Sequence, residues 1–224
     1  KQGKGIEMKP LNNMYLGTSF SQEYVDKFVS DNSLKEKYVV AENAENIDVA
    51  KKIADGMVVA RSVGRMEFGA RALGNRSILA DPRDVKVIKK INDKIKNRDF
   101  WMPFAASILA EKASNYIVNP KNIFAPYMTI TFETTELGRR HIPAALHQAD
   151  FTSRPQMVTH EMNPDYHDLI KQFEVVTGVS ALLNTSFNLH GKPIVRSPED
   201  ALYVFENSDL DALVVEKTII SKKG

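Results

Sequence analysis

Residues 163–188, NPDYHDLIKQFEVVTGVSALLNTSFN, decide the fold class, because they have the pattern of a helix followed at once by a buried strand. Asn163 and Pro164 form a typical N-cap and first-turn pair. Apolar residues then recur every three or four positions until Gly178, a typical helix stop. The continuous apolar run 179–183 is typical of a strand that is buried on both faces. This succession predicts a sheet with helices packed on it.

Helix and strand signals alternate on both sides of this segment. Downstream, Ser197 begins a helix to about residue 206, and residues 212–221 supply one or two closing strands. Upstream, helices are predicted to begin at Ser19 or Ser21, at Asn46 and at Asp84, and strands to cover 57–63 and 128–132. Interleaved elements predict an α/β (α+β) fold in which a twisted, mixed sheet is flanked by helices. Ligand-binding loops are then expected at the strand ends.

The composition excludes several classes of protein. Of the 224 residues, 43% are hydrophobic and 26% charged, as in an ordinary soluble domain. Cysteine is absent, which excludes disulfides, thiol catalysis and cysteine-bound zinc. A reducing compartment is compatible with this, and we expect a cytoplasmic location. No apolar run approaches the ~20 residues that span a bilayer, so no membrane segment is expected.

The net charge of +2 does not favour nucleic acid or a membrane surface as a bulk partner, so any anion site must be local. The chain begins KQGKGIEMKPL, without an initiator Met and without the pattern of a signal peptide. We therefore expect that it is one piece of a longer protein.

The first candidate site is the glycine- and arginine-rich segment 64–83, GRMEFGARALGNRSILADPR. Glycines let a backbone approach an oxyanion closely, and the guanidinium groups of Arg65, Arg71 and Arg76 can bind phosphate or carboxylate through paired hydrogen bonds. The segment is neither a P-loop nor a GxGxxG motif. By residue type alone, a structural turn with surface salt bridges fits it about as well as a phosphate site.

Two further segments carry cations. In residues 95–104, IKNRDFWMPF, Lys96 and Arg98 lie among aromatic residues, where aliphatic stems packed over Trp101 are the simpler interpretation and a phosphate-binding lysine is the other. In residues 151–156, FTSRPQ, Arg154 precedes a proline, which keeps the arginine backbone extended.

The fourth segment, residues 182–188, LLNTSFN, follows the buried strand with short hydrogen-bonding side chains. Such a strand-end turn is where an open α/β sheet usually presents donors to a ligand, although a plain turn has the same composition. No GxSxG motif surrounds Ser186, so we interpret this serine as a donor and not as a nucleophile. No HExxH motif is present, so the histidines are assigned structural or surface roles and no metal ligands are predicted in the chain.

Taken together, the four segments resemble, in order and spacing, the C-terminal domain of the NodU/CmcH family of carbamoyltransferases. The resemblance spans roughly residues 15–215 and implies a YrdC-like fold. It also implies a preceding domain of the ASKHA type, which carries a metal site and completes carbamoyl transfer. Residues 1–224 would then form the single YrdC-like domain, with 1–44 as an extension toward the ASKHA-type domain. The partners would be this domain and small-molecule substrates.

The resemblance implies that this domain uses ATP, Mg²⁺ and carbamoyl phosphate to form carbamoyl-adenylate, which the preceding domain transfers to a hydroxyl acceptor. Arg71, Lys96 and Arg154 would be the cationic ligands of the phosphates and, with Ser186, the catalytic set. Further substrate- or nucleotide-binding candidates are Arg65, Arg76, Met102, Asn184, Thr185 and Asn188. These residue types suit phosphoryl and adenylyl transfer, which depend on positioning and on neutralising oxyanion charge.

One departure from the family concerns a ligand. Family members usually have WRPFAP where this chain has Trp101, Met102, Pro103, Phe104, Ala105 and Ala106. Methionine cannot ligate phosphate, so either Arg98 compensates or the binding of carbamoyl phosphate is altered. Two other functions stay open: a non-catalytic nucleotide- or RNA-binding module, and a structural partner for the missing domain. The near-neutral charge argues against RNA.

Overall fold

The computed structural model describes residues 12–96 and 102–223, without the side chain of Lys94. The α-helices are α1 (Gln22–Asp31), α2 (Leu34–Lys37), α3 (Asn46–Ala54), α4 (Lys86–Ile91), α5 (Glu136–His141), α6 (Pro164–Thr177) and α7 (Pro198–Glu206). The strands are β1 (Val39–Ala41), β2 (Val59–Ser62), β3 (Arg76–Ala80), β4 (Ala105–Leu109), β5 (Ile117–Val118), β6 (Glu133–Thr134), β7 (Gln156–Val158), β8 (Ala181–Ser186), β9 (Ala212–Val215) and β10 (Thr218–Ser221). A π-helical turn, Asn92–Lys96, continues α4, and short 3-10 turns cover Ala110–Asn115 and Pro143–Ala145.

Eight strands form one sheet in the order β1-β10-β9-β2-β3-β8-β4-β7, and β5 and β6 form a separate small ribbon. The pairs β2–β9 and β4–β7 are parallel and the other pairs are antiparallel, so the sheet is mixed. The inner strand β8 alternates its side chains between two apolar cores, with Leu182 on one face of the sheet and Leu183 on the other. Helices α3 and α6 cover the first face, and α1, α4 and α7 cover the second. The predicted mixed sheet with helices on its faces is confirmed.

The predicted helix starts depend on local capping, and most of them are confirmed. Ser21 caps α1 by accepting the N–H of Tyr24, and Asn163 caps α6 in the same way. Ser197 caps α7 through a capping box. The N-cap of α3 is Glu45 and not Asn46, because Glu45 and Asp48 form the capping box there. The Asn46 amide instead donates to Asp165 and Asp168 of α6 and ties the two helices together.

Three sequence predictions need correction. The alternating residues 128–132 do not form a strand, because Met128 has a positive φ of 55° and, apart from an isolated bridge at Phe132, the segment is a loop. The glycine- and arginine-rich segment 64–83 was expected to form a turn or loop because of its glycines and arginines. Its residues Arg76–Ala80 instead form β3, a strand in the interior of the sheet. The helix expected from Asp84 begins at Lys86; its Val87 is buried, whereas Val85, directly before the helix, is exposed.

Residues 12–44 pack directly on the sheet. Helix α1 contributes Val25, Phe28 and Val29 to a core, and β1 pairs with β10. Among the described residues, no helix combines the length and the apolar composition needed to cross a membrane.

Candidate functional site

One end of the sheet gathers the predicted segments. Strand β8 runs antiparallel to β3 and β4, so Ser186 lies opposite Ser77, and Asn184 opposite Ala105. Because β7 is parallel to β4, the residues just before β7, including Arg154, reach the same end. The C-terminal end of β8 and the N-terminal ends of β3, β4 and β7 therefore lie at the same end of the sheet, which we call the site edge.

A pocket of about 70 Å³ opens at this edge. It is lined by Ala70, Arg71, Ala72, Pro103, Phe104, Ala105, Met128, Arg154, Asn184, Thr185 and Ser186. Five predicted site residues from three separate segments thus meet in one place. We call it the arginine pocket.

The two arginines give the arginine pocket its charge. Arg71 is exposed and Arg154 is half-buried, and among its lining residues the pocket has no carboxylate. The Nε atom of Arg154 is buried and has no hydrogen-bond partner among the described residues. Burial, together with the positive charge of Arg71, lowers the pKa of Arg154. An anion placed between the two guanidinium groups would supply the missing acceptor and relieve their repulsion.

Short polar side chains of β8 complete the arginine pocket. Asn184 is 2% exposed, and its amide nitrogen donates to Ser107 Oγ at 3.0 Å, whereas its Oδ1 atom is buried without a partner. Thr185 is buried, and the half-exposed Ser186 lies at the end of the strand. The hydroxyl groups can donate to a ligand oxyanion, and the amide oxygen can accept a ligand N–H.

Lys96 supports this edge from within. Its side chain is 1% exposed, and its Nζ atom donates to Asn188 Oδ1 at 2.6 Å, to Ser186 Oγ at 3.2 Å and to the carbonyl groups of both residues. Ser186 Oγ also donates to Asn188 Oδ1 at 2.7 Å. Lys96 thus holds the turn after β8 and contacts the pocket through Ser186. Its assignment as a phosphate ligand stays a prediction.

The other predicted arginines contact backbone and do not line the arginine pocket. Arg65 donates to the carbonyls of Leu16 and Gly17 at 2.7 and 3.1 Å. Arg76 is fully buried and donates to carbonyl oxygens of Thr18, Val63, Gly64, Asn75 and Arg196. Burial lowers the pKa of Arg76. These contacts fasten residues 12–18 to the glycine- and arginine-rich segment.

Met102 is 46% exposed and directly precedes Pro103, which lines the arginine pocket. It is therefore not packed inside an apolar cluster. Arg98, Phe100 and Trp101, which the sequence analysis grouped with it, lie outside the described residues.

Sequence reasoning missed several polar residues around the site. Gln156 accepts from Ser107 Oγ at 2.8 Å and donates to the carbonyl of Leu73 at 2.9 Å, which joins β7 and β4 to the segment that carries Arg71. Its one available signal was its place two residues after Arg154. Glu67, in the middle of GRMEFG, was also overlooked.

A second pocket of about 290 Å³ adjoins the first and shares Pro103, Phe104 and Arg154 with it. His147 and Asp150 also line this second pocket, and His147 Nδ1 lies 2.9 Å from Asp150 Oδ1. Hydrogen bonds from the N–H and hydroxyl of Thr152, with His147 as a smaller contributor, lower the pKa of Asp150. His147 therefore lines a cavity beside the arginine pocket, which its assignment as a structural or surface residue did not anticipate.

A larger pocket lies elsewhere, and its lining carries more carboxylates than cations, which does not suit phosphate. It measures about 820 Å³ and is lined by four carboxylates, with Arg61 and Lys217 as its cations. Arg61 is 1% exposed and already pairs with Asp165. Within residues 12–96 and 102–223, no cluster of three or more His, Asp or Glu residues could hold a metal ion.

Three curated relatives cover most of the chain. The uncharacterized protein MJ1058 of Methanocaldococcus jannaschii is 40% identical over 96% of this chain and 35% of its own length. Nodulation protein NolO of Bradyrhizobium diazoefficiens is 41% identical over 79% of this chain and 33% of its own length. The 3'-hydroxymethylcephem-O-carbamoyltransferase of Amycolatopsis lactamdurans is 30% identical over 86% of this chain and 36% of its own length. The chain therefore spans about a third of these relatives.

Solved structures share the fold at low sequence identity. Full-length HypF, in a phosphate- and nucleotide-bound form, matches 81% of this chain with a TM-score of 0.55 and 15% identity, over 22% of its own length. YciO of E. coli matches 80% of this chain with a TM-score of 0.52 and 14% identity, over 88% of its own length. These likenesses confirm the YrdC-like fold.

The family described as Carbamoyltransferase C-terminus matches residues 50–222, which include every described lining residue of the arginine pocket. This match, nodulation protein NolO and the 3'-hydroxymethylcephem-O-carbamoyltransferase all agree with the resemblance found in the four motifs. The chain belongs to the family of carbamoyltransferase C-terminal domains.

Proposed function

We propose that the arginine pocket binds the phosphate groups of ATP and carbamoyl phosphate, and that this domain forms carbamoyl-adenylate. The observation that carries the proposal is that Arg71 and Arg154 line the same pocket. Within the described part of the chain, that pocket has no lining carboxylate and Arg154 Nε has no hydrogen-bond partner. Two guanidinium groups held close together without an acid need an anion to offset their repulsion.

The chemistry follows from the balance of atoms. Carbamoyl-adenylate contains carbamate and AMP, so carbamoyl phosphate must lose inorganic phosphate and ATP must lose pyrophosphate. In the first step, water cleaves carbamoyl phosphate to carbamate and phosphate. In the second, a carbamate oxygen forms a bond to the α-phosphorus of ATP, and the bond to pyrophosphate breaks. Both steps develop negative charge on phosphate oxygens, which Arg71 and Arg154 are placed to neutralise.

The roles of the strand-end residues follow from their contacts. Thr185 would donate to a phosphate oxygen, and Ser186 would do so by exchanging its hydrogen bond to Asn188 Oδ1 for one to the phosphate. Asn184 Oδ1 would accept from the carbamoyl NH₂ group, because that oxygen has no partner among the described residues. Lys96 would hold Ser186 and Asn188 in position for this contact. The adjoining pocket at Arg154 provides room for the rest of a substrate.

The lining residues of the arginine pocket do not fit Mg²⁺ as a protein-bound ion, because they offer no carboxylate among the described residues. Magnesium bound to ATP would be carried by the substrate phosphates.

The acceptor is proposed to bind outside this chain. The cephem carbamoyltransferase is named for transfer to the oxygen of a hydroxymethyl group, and this chain covers 36% of it. We therefore propose that a preceding ASKHA-type domain of the same protein binds a hydroxyl acceptor and receives the carbamoyl group from carbamoyl-adenylate.

The test is ATP–pyrophosphate exchange with the full-length protein, with and without carbamoyl phosphate, alongside calorimetric titration of Mg²⁺-ATP. We expect exchange that depends on carbamoyl phosphate, and ATP binding that weakens as salt is raised, because the contacts join cations to phosphates. ATP binding without exchange would contradict carbamoyl-adenylate formation and favour a non-catalytic nucleotide-binding module. Absence of both would contradict the proposal as a whole and favour a structural domain.

Replacement of Met102 with arginine is expected to tighten carbamoyl phosphate binding by about 3- to 10-fold, the effect of a partly exposed charge on an anion, while changing ATP binding less. Because Met102 is 46% exposed, the free energy of unfolding should change by no more than about 0.5 kcal/mol. Met102→Gln is the control, since it has a similar length and no charge. Substrate titrations and thermal melts of the two variants check this. Lost stability with no gain in affinity would show that Met102 has a structural role.

A further inference from the structure

The carboxylate of Glu67 lies beneath the loop that carries Arg71. Its Oε1 atom accepts three backbone N–H groups, from Leu73 at 2.7 Å, Asn75 at 2.8 Å and Arg76 at 3.1 Å. The residue is 5% exposed, although a glutamate is almost never buried without a specific role. One carboxylate oxygen therefore holds three backbone N–H groups at the end of the loop in place.

The loop needs a side-chain acceptor for its backbone N–H groups because it forms no helix or strand. Between the end of β2 and the start of β3 the backbone forms bends, and Gly69 and Gly74 adopt φ values of 126° and 112°. Buried N–H groups outside helices and strands require other acceptors. Glu67 supplies one for the N–H groups of Leu73 and Asn75 and for that of Arg76 at the start of β3, and so fixes the shape of the loop.

The bonded residues also connect the loop to the arginine pocket. The carbonyl of Leu73 accepts from the Tyr15 hydroxyl at 2.8 Å and from Gln156 Nε2 at 2.9 Å, and the carbonyl of Ala72 accepts from Asn184 Nδ2 at 3.3 Å. Arg71 itself is exposed, so the backbone on either side of it determines where its guanidinium group can reach. Glu67 precedes it by four residues, and the first bonded N–H follows it by two.

We propose that Glu67 is a positioning residue that holds the loop so that Arg71 faces Arg154 across the pocket. This rests on the proposed function of the pocket as a phosphate site. Glu67 does not line the pocket and would act on ligand binding chiefly through Arg71, the charged residue of this loop among the lining residues.

The variant Glu67→Gln preserves the size of the side chain and removes its charge, which weakens all three hydrogen bonds without deleting them. We expect the amides of Leu73, Asn75 and Arg76 to exchange with deuterium about tenfold faster, because the loop opens more often. If the competent loop falls to about a tenth of the population, Mg²⁺-ATP should bind about tenfold more weakly. Glu133→Gln, an exposed change on β6, is the control and should alter neither measurement.

A double-mutant cycle with Arg71→Ala in the full-length protein separates positioning from general stability. If Glu67 acts through Arg71, Glu67→Gln should weaken ATP binding in the wild-type background and change it little in the Arg71→Ala background. Equal losses in both backgrounds, or unchanged exchange at the three amides, would overturn the proposal. Failure of the wild-type protein itself to bind ATP would instead overturn the proposed function, while the exchange experiment would still report whether Glu67 organises the loop.

Discussion

Replacement of Arg154 with alanine is expected to weaken binding of Mg²⁺-ATP or carbamoyl phosphate by roughly 10- to 150-fold. This corresponds to about 1.5 to 3 kcal/mol, the range for hydrogen bonds to charged groups. The reason is that Arg154 Nε is buried with no partner in residues 12–96 and 102–223, and that Arg154 borders both neighbouring pockets. Calorimetric titration measures the loss.

Two further variants make the Arg154 prediction specific. Arg154→Lys keeps the charge but removes the planar fork, so it should recover only part of the affinity. Arg140→Ala removes an exposed arginine that borders none of the described pockets, and affinity should be unchanged. Wild-type affinity in a folded Arg154→Ala protein would show that the pocket does not bind the phosphates.

Replacement of Gly74 with alanine is expected to lower the free energy of unfolding by about 3 to 5 kcal/mol, from steric overlap and backbone strain together. A Cβ atom on Gly74 would lie 2.2 Å from Cδ1 of Tyr166, whose ring is fully buried, and the φ of Gly74 is 112°. In a domain of this size such a loss lowers the melting temperature by about 6 to 20 °C. Thermal and denaturant unfolding measure it.

Gly178 provides the matched control. It also has a positive φ, 77°, but a Cβ atom there would meet nothing within 4 Å. Gly178→Ala should therefore cost only the backbone strain, about 1 to 2 kcal/mol. Equal losses in the two variants would mean that Tyr166 can move aside, and that the close packing of Gly74 on α6 is not required.

The helices were predictable because their signals are local. Ser21, Asn163 and Ser197 cap their own helices through N–H groups only three residues away, so capping residue and helix stand together in the sequence. The strand β3 was not predictable in this way. Its first residue, Arg76, is charged and fully buried, and it is acceptable in an inner strand because carbonyl groups far along the chain, those of Thr18 and Arg196, accept from it.

The arginines show the same division within the candidate site. Arg65, Arg71 and Arg76 share one segment and one residue type, and nothing local distinguishes them. In the fold, Arg65 and Arg76 donate to backbone carbonyls, whereas Arg71 faces the arginine pocket. Glu67 was missed for a related reason, because its partners are backbone N–H groups, which have no signature in a sequence.

The sequence by itself determined the starts of α1, α6 and α7, the closing strands β9 and β10, the membership of a carbamoyltransferase family and the residue types of the site. These depend on local capping, on periodicity and on contiguous motifs. The tertiary structure alone decided that Arg71, Arg154 and Ser186 meet, and which arginine is already bound to backbone. The physical reason is that these outcomes depend on the order of strands in the sheet. That order is set by packing two apolar cores on opposite faces, and it joins residues that are far apart in the chain.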